Sequence, residues 1–424
     1  MGVTALVALS ACDALTGNPK ASDPVGYVPP PSSHIPSGNH LFCITNLGHT
    51  LTLLHLDTAT VPLGAQRYLE PDPEGPWFEA ATGGVGYYLS RVESGGTGRN
   101  ALIRFLSATG VETGRYYFPA NSNPNDFLML PGVAGKAWVA LRGSTFDNFA
   151  TNGIAVMDLP SLTQSGYADL NALAPTAGAT LTSLLGFQWD AACNGGAGCA
   201  YAVVNNWANG VRQGWLLVLD ADALGNPVLL DQVPLGRNPL HPLLVDDSAG
   251  ELWVVNNGGY SSFCANPATC DGGPGTLQVL SRAALADGVA GNETTALLAS
   301  TGGCTGVSAP CAEFADFPPD PVSIYRFSPT RAWVTTWPDD LVRVVDLDPA
   351  SPGYRSLLPP DPALPRLTGP LLATSAPTPA LFAGMGGFGA AHLGRLDALT
   401  GALSAEYNLA AGNGPVSCAE HAVP

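Results

Sequence analysis

Lysine is almost missing from this 424-residue chain: Lys20 and Lys136 are the only two, so its basic residues are nearly all arginine. Charge of either sign is scarce at 12% of residues, and 34 acidic against 17 basic side chains leave a formal charge of −17. That balance argues against a nucleic-acid phosphate backbone as partner. No apolar run reaches the ~20 residues a membrane-spanning helix needs. There is no Cys-x-x-Cys-His haem attachment site, and Gly83-Gly84-Val85-Gly86 leads into a strand pattern rather than the helix that a phosphate-cradling loop requires. No cofactor and no metal is expected.

In place of charge the chain has 50 Gly and 38 Pro, about a fifth of all residues, with 46% hydrophobic content. The first implies many tight turns between short strands, the second enough apolar surface for a large core rather than disorder. One pattern organises the turns. A strand runs into a hairpin at Leu56-Asp57-Thr58, Leu106-Ser107-Ala108, Met157-Asp158-Leu159, Leu219-Asp220-Ala221, Leu280-Ser281-Arg282, Val345-Asp346-Leu347 and Leu396-Asp397-Ala398. An Asp or Ser there bonds the backbone two residues on and starts the turn. Successive copies lie 50, 51, 62, 61, 65 and 51 residues apart, and the three long gaps are those that hold a close cysteine pair. Insertions on a constant unit of about 50 residues give this spacing.

Upstream of each turn lies a second recurring strand, as in Tyr87-Tyr88-Leu89-Ser90-Arg91, Trp138-Val139-Ala140-Leu141-Arg142 and Trp253-Val254-Val255-Asn256-Asn257. Asn123-Pro124, Asn238-Pro239 and Asp320-Pro321 open the first strand of their units. Four strands per unit make a propeller blade, so the pattern predicts an all-β, seven-bladed β-propeller with four-stranded antiparallel blades. The first unit, from Asn39, lacks an opening strand, while Gly414-Pro415-Val416-Ser417-Cys418-Ala419 copies Pro321-Val322-Ser323-Ile324-Tyr325. The C-terminal strand is therefore expected to pair with the first blade and close the ring, which removes a free edge.

Of nine cysteines, six form the close pairs Cys193 and Cys199, Cys264 and Cys270, and Cys304 and Cys311. These read as small disulfide loops, since structural zinc prefers tighter spacings with a second pair or histidines nearby. Cys43 and Cys418 are left to each other, on the two strands that closure makes neighbours. The ninth, Cys12, ends a short apolar segment, and Leu9-Ser10-Ala11-Cys12 resembles the lipoprotein box of bacteria, cut before a cysteine that then carries lipid. No Lys or Arg precedes the segment, so either the start lies upstream of Met1, the favoured reading, or the match arises by chance. The expected organisation is a signal over 1–12, a Pro/Ser/Gly tether over 13–38 and the propeller over 39–424.

The unit of Pro, apolar strand, Asp/Gly turn, Leu252-Trp253-Val254-Val255-Asn256 and Leu-Asp hairpin resembles the YVTN-type repeat of seven-bladed propellers, a group that includes lactonase-like enzymes. In a propeller the innermost strands line the channel, and the loops into them and after the second strands open on one face. That face is expected to carry Asn46, Arg91, Arg142, Asn205, Arg237, Asn238, Asn256, Asn257 and Asp320. Arginine forks and asparagine amides suit an anionic or hydroxyl-rich ligand, although Asn and Asp at strand ends also serve simply to cap turns. Pro239-Leu240-His241-Pro242 resembles the Pro-His element of lactonase-like propellers, which makes His241 the candidate catalytic residue. The sequence favours a monomeric, lipid-anchored propeller of the bacterial envelope or surface that binds a protein or glycan partner without catalysis. The alternative is a lactonase-like hydrolase with its active site in the channel, which needs His, Glu or Asp side chains to converge there.

Overall fold

The computed structural model describes residues 35–423 apart from short breaks and the longer stretches 92–99, 144–151, 259–275, 286–296, 301–311, 314–320 and 359–366. The described strands form seven sheets, one per repeat. From channel to rim, blade 1 is Val416–Val423, Gly38–Thr45, Thr50–His55 and Arg67–Tyr68. Blade 2 is Pro73–Phe78, Val85–Ser90, Ala101–Leu106 and Glu112–Tyr117, and blade 3 is Pro124–Met129, Lys136–Leu141, Gly153–Asp158 and Thr163–Asp169. Blade 4 is Leu184–Asp190, Cys199–Val204, Gln213–Ala221 and Pro227–Arg237. Blade 5 begins Leu244–Asp246, Glu251–Asn256, Thr276–Ser281 and Leu297–Ser300, then departs from the four-strand expectation by adding Ala312–Glu313 parallel to its last strand. Blade 6 is Pro321–Ser328, Arg331–Thr336, Val342–Asp346 and Leu357–Leu358, and blade 7 is Leu367–Thr374, Ala380–Met385, His392–Leu396 and Leu403–Asn408.

Burial follows position in the blade. Second strands such as Cys199–Val204 and Glu251–Asn256 are buried at every residue, because both faces of a blade are covered by its neighbours and the strand reads as a continuous apolar run. Rim strands such as Thr163–Asp169 alternate between exposed and half-buried. The hydrophobic core is correspondingly divided. Its seven clusters each lie between consecutive blades, from Trp138, Ile154, Phe187 and Leu217 between blades 3 and 4 to Leu41, Leu54, Phe382 and Leu393 between blades 7 and 1. The turn aspartates bond the backbone close by, Asp346 two residues on as expected and Asp158 three residues on. Asp158 Oδ1 accepts the Ser161 N–H at 3.1 Å, and Asp346 Oδ1 that of Asp348 at 2.9 Å.

The ring closes through the C-terminal strand. Val416–Val423 pairs antiparallel with Gly38–Thr45, and Cys43 faces Cys418 and is disulfide-bonded to it. Cys193 and Cys199 form a second disulfide, between the first two strands of blade 4. Cys12, Cys264, Cys270, Cys304 and Cys311 lie outside the described residues. Ile35, within the stretch read as tether, is buried against blades 1 and 2 and donates its N–H to the Ala108 carbonyl at 2.8 Å.

Ion pairs stitch blades 4, 5 and 6 on the far side from the strand openings. Arg282, after the third strand of blade 5, donates Nε to Asp190 Oδ2 of blade 4 at 2.7 Å, its Nη2 reaches Asp190 Oδ1, and its Nη1 bonds Asp247 at 2.7 Å. Tyr201 OH completes the shell of Asp190 at 2.9 Å. Burial alone would raise the Asp190 carboxyl, yet the Arg282, Tyr201 and Ala192 donors outweigh it and hold it below the ordinary 3.8. Likewise Arg355 and Tyr354 of blade 6 grip Glu251 of blade 5, which also accepts the Trp253 indole N–H at 3.0 Å. Removing one partner strands the other as a buried charge, so Arg282→Ala is expected to lower the unfolding free energy by about 3 kcal/mol. Denaturant titration checks this. The contribution of Asp190 is present above pH 3.8 and is lost as pH falls through its lower folded value, so the gap between wild type and variant should close in acid.

Candidate functional site

The inner strands enter at one common end of the blades. There Val416 faces Thr45, Pro73 faces Ser90, Pro124 faces Leu141, Leu184 faces Val204, Pro239 bridges Asn256, Pro321 faces Thr336 and Leu367 faces Met385. Pairing then slips at once, between Pro124 and Asp126, Leu184 and Gly186, and Pro321 and Ser323. A slip of this kind is a β-bulge, which re-aims the side chain beside it. Counted from the opening residue, Asp126, Gly186, His241 and Ser323 occupy the same place in blades 3, 4, 5 and 6.

Two of these four residues meet across the third. Asp126 Oδ2 accepts the Phe187 N–H of blade 4 at 2.7 Å. His241 Nε2 lies 2.9 Å from the Phe187 carbonyl oxygen and 3.9 Å from Asp126 Oδ2. A carbonyl only accepts, so in the neutral ring Nε2 carries the hydrogen and Nδ1 keeps the lone pair. Gly186 lies between them: a Cβ there would stand 2.6 Å from Asp126 Oδ2 and 2.9 Å from Cγ and Nδ1 of His241. Burial pushes the Asp126 carboxyl up, and His241 and the N–H groups of Phe187 and Phe127 only partly offset this, so it holds its proton above the ordinary 3.8. A buried carboxyl tuned upward beside a histidine is an arrangement suited to proton transfer.

A second contact chain runs alongside. Arg91, after the second strand of blade 2, donates Nη1 to Asn125 Oδ1 at 2.8 Å, and Asn125 Nδ2 donates to the Leu185 carbonyl of blade 4. The bulge is what lets Asn125 and Asp126, adjacent in sequence, both engage blade 4. The sequence pattern marks Asn123-Pro124 only as a strand opening and singles out neither Asn125 nor Asp126.

Other expected site residues are placed as follows. Arg142, Asn205, Asn238, Asn256 and Asn257 are buried, while Arg237 is exposed. Asn205 Nδ2 bonds Asn238 Oδ1 at 3.2 Å, and Asn256 Nδ2 bonds Thr276 Oγ1 at 3.1 Å and Gln278 Oε1 at 2.9 Å. Asn257 Nδ2 crosses to the Pro321 carbonyl of blade 6 at 3.0 Å. A backbone device recurs beneath them: the N–H groups of Arg142, Asn205 and Asn257 bond the carbonyls of Asn123, Ser183 and Asn238. Those three acceptors have φ of 45°, 61° and 51°, a left-handed conformation that Asn tolerates better than Ser does. Asn46 and Asp320 lie outside the described residues. Among the described residues no group of three or more His, Cys, Asp or Glu is arranged to hold a metal ion.

Solved structures share this architecture. The periplasmic gluconolactonase PpgL of Pseudomonas aeruginosa superposes with a TM-score of 0.60 at 11% identity, over 91% of this chain and 99% of that one. A putative 6-phosphogluconolactonase from Bacteroides uniformis gives 0.56 at 13% identity, over 90% and 99%. The fold resembles that of lactonase-like propellers. A dihydro-heme d1 dehydrogenase, NirN, gives 0.51 at 11% identity over 88% of this chain, which spans 66% of that protein. No family model matches the sequence, nor does any curated protein. The expectation of a non-catalytic binding propeller is corrected: solved structures of this fold include proteins named as enzymes. A gluconolactonase, a putative 6-phosphogluconolactonase and a dehydrogenase share the fold, and at the inner-strand openings a carboxyl and an imidazole stand 3.9 Å apart beside the asparagines.

Proposed function

We propose that this protein is a lactonase-like hydrolase that opens a cyclic ester at the channel face of blades 3 to 5. The observation that carries the reading is the convergence of Asp126 and His241, from non-adjacent blades, on Phe187 and across Gly186. In this reading His241 Nδ1 takes a proton from water as the oxygen adds to the lactone carbonyl. The tetrahedral intermediate then collapses with cleavage of the ring C–O bond, and the proton held by Asp126 passes to the departing alkoxide. Arg91 and Asn125 orient the substrate's oxygens. Export is part of the proposal: the Cys43–Cys418 and Cys193–Cys199 disulfides suit an oxidising compartment, and Cys12 in its Leu-Ser-Ala-Cys box is the proposed lipid anchor.

The test is hydrolysis of glucono-δ-lactone and related sugar lactones, followed by acid release. Wild type should exceed the uncatalysed rate, and His241→Gln should lose on the order of 10²-fold or more in kcat while keeping its fold. A wild type no faster than buffer, or a His241→Gln variant as fast as wild type, would overturn the reading. Gly186→Ala should also be impaired, by at least about tenfold, because a displacement on the ångström scale at the reacting groups is costly. Equal kinetics for Gly186→Ala and wild type would show that the gap between Asp126 and His241 is not used.

A further inference from the structure

Three histidines stand in one row across the seam that closes the ring. His421 of the C-terminal strand faces His40, and His40 faces His55. Directly opposed residues share a sheet face, so all three point toward blade 2, the side on which Phe42 and Ile44 pack with Phe78, Tyr88 and Phe105. The rings are in contact: His40 and His55 centroids are 4.5 Å apart, and His421 stacks on Phe78 of blade 2 at 4.2 Å and 9°. His40 is fully buried and its Nδ1 donates to the Gly38 carbonyl at 3.0 Å, so Nε2 holds the lone pair. Among the described residues, Nε2 of His40, Nε2 of His421 and Nδ1 of His55 are buried without a hydrogen-bond partner. The opposing charge is small. Asp57 lies 3.9 Å from His55 Nδ1 and acts weakly on His40, while among the described residues the groups meeting His421 from blades 1 and 2 are His40, opposite it, and the rings of Phe42 and Phe78.

We infer that this histidine row is an acid-sensitive latch: proton uptake by His421 and His40 loosens the end of the closing strand and the seam between blades 1 and 2. Protonation puts cations on nitrogens that have no acceptor and on neighbouring strands only about 5 Å apart. The disulfide limits how far the strand opens. Cys43–Cys418 pins the pairing three residues from His40 and His421, so the effect falls on Gly38–His40 and His421–Val423, while the rest of the pair stays joined.

Burial lowers both His40 and His421 from the ordinary 6.5, and for His40 the like charges of His55 and His421 add to this against the Gly38 bond and Asp57. The stability each contributes is present above pH 6.5 and is lost as pH falls through its folded value. Each proton taken up on opening raises the opening constant about tenfold per pH unit in that window.

The experiment is amide hydrogen exchange by mass spectrometry on the intact, oxidised chain at pH 7.5 and pH 5, corrected for intrinsic rates. Peptides covering 38–41 and 419–423 should exchange at least about tenfold faster at pH 5, whereas those from blade 3 should not change. His421→Phe, which keeps a ring over Phe78, should remove most of the difference. Because a folding defect in that variant would blur the comparison, histidine NMR titration of the wild type gives an independent reading: two histidines should titrate below 6.5. Equal protection at both pH values, the same acid response in His421→Phe, or all histidines titrating at or above 6.5 would each overturn the inference.

Discussion

A Cys43→Ser/Cys418→Ser variant is expected to lose about 5 kcal/mol of unfolding free energy, whereas Cys193→Ser/Cys199→Ser should lose only about 2 kcal/mol. The two bridges differ chiefly in the chain they close: 375 residues separate the first pair and 6 the second. In the chain-entropy account a cross-link acts on the unfolded ensemble, and its effect grows with the logarithm of the loop. The native seam adds to the difference. Blade 1 is the only sheet here that combines strands from both ends of the described chain. A propeller without that pairing exposes an inner strand edge as well as the apolar faces of Leu41, Leu54 and Phe382 between blades 7 and 1. Chemical denaturation of the two variants under non-reducing conditions checks the ranking. Similar losses from the two bridges would show that ring closure rests on packing alone.

That seam was legible because it depends on repeat phase, which a sequence displays directly. A unit missing its opening strand and a surplus copy at the other end leave one way to complete the ring, and Cys43 facing Cys418 follows from it. The turn aspartates were legible for a similar reason: Asp158 and Asp346 act on residues close by in the chain. The channel pair is a different kind of object. Asp126 and His241 are joined by two one-residue slips and a glycine in a third blade, and periodicity does not report a slip of one residue. A signal was nonetheless present. Aligned on their opening residues, Pro124-Asn125-Asp126, Pro321-Val322-Ser323 and Pro239-Leu240-His241 put Asp, Ser and His at one position, and a carboxylate followed by Phe127 and Leu128 interrupts a strand that should be apolar. The signal lies in the residue-by-residue register of the blades and not in their strand pattern. The asparagines were visible for the opposite reason. They end strands in several blades because the backbone there needs a polar partner, as Asn257 supplies to Pro321, and recurrence across blades is the mark of architecture more than of a single ligand site.

Asp126→Asn is expected to separate activity from stability. If Asp126 delivers the proton to the leaving alkoxide, its amide cannot, and lactone turnover should fall on the order of 10²- to 10⁴-fold. The same change should make the protein more stable at neutral pH, by on the order of 1 kcal/mol. Burial raises the Asp126 carboxyl above 3.8, so the folded state resists its ionisation. The favourable contribution of its protonated form is complete below 3.8 and is lost as pH rises through the higher folded value. An amide stays neutral throughout and Oδ1 can still accept the Phe187 N–H, so the advantage of the variant should be absent near pH 3.5 and grow toward pH 7.5. Urea denaturation at those two pH values, beside the lactone assay, measures both halves. A variant that is inactive and equally destabilised at both pH values would mark Asp126 as a structural support for blades 3 and 4. An inactive variant that gains stability as pH rises identifies a carboxyl kept at the expense of the fold, which is what a residue retained for proton transfer requires.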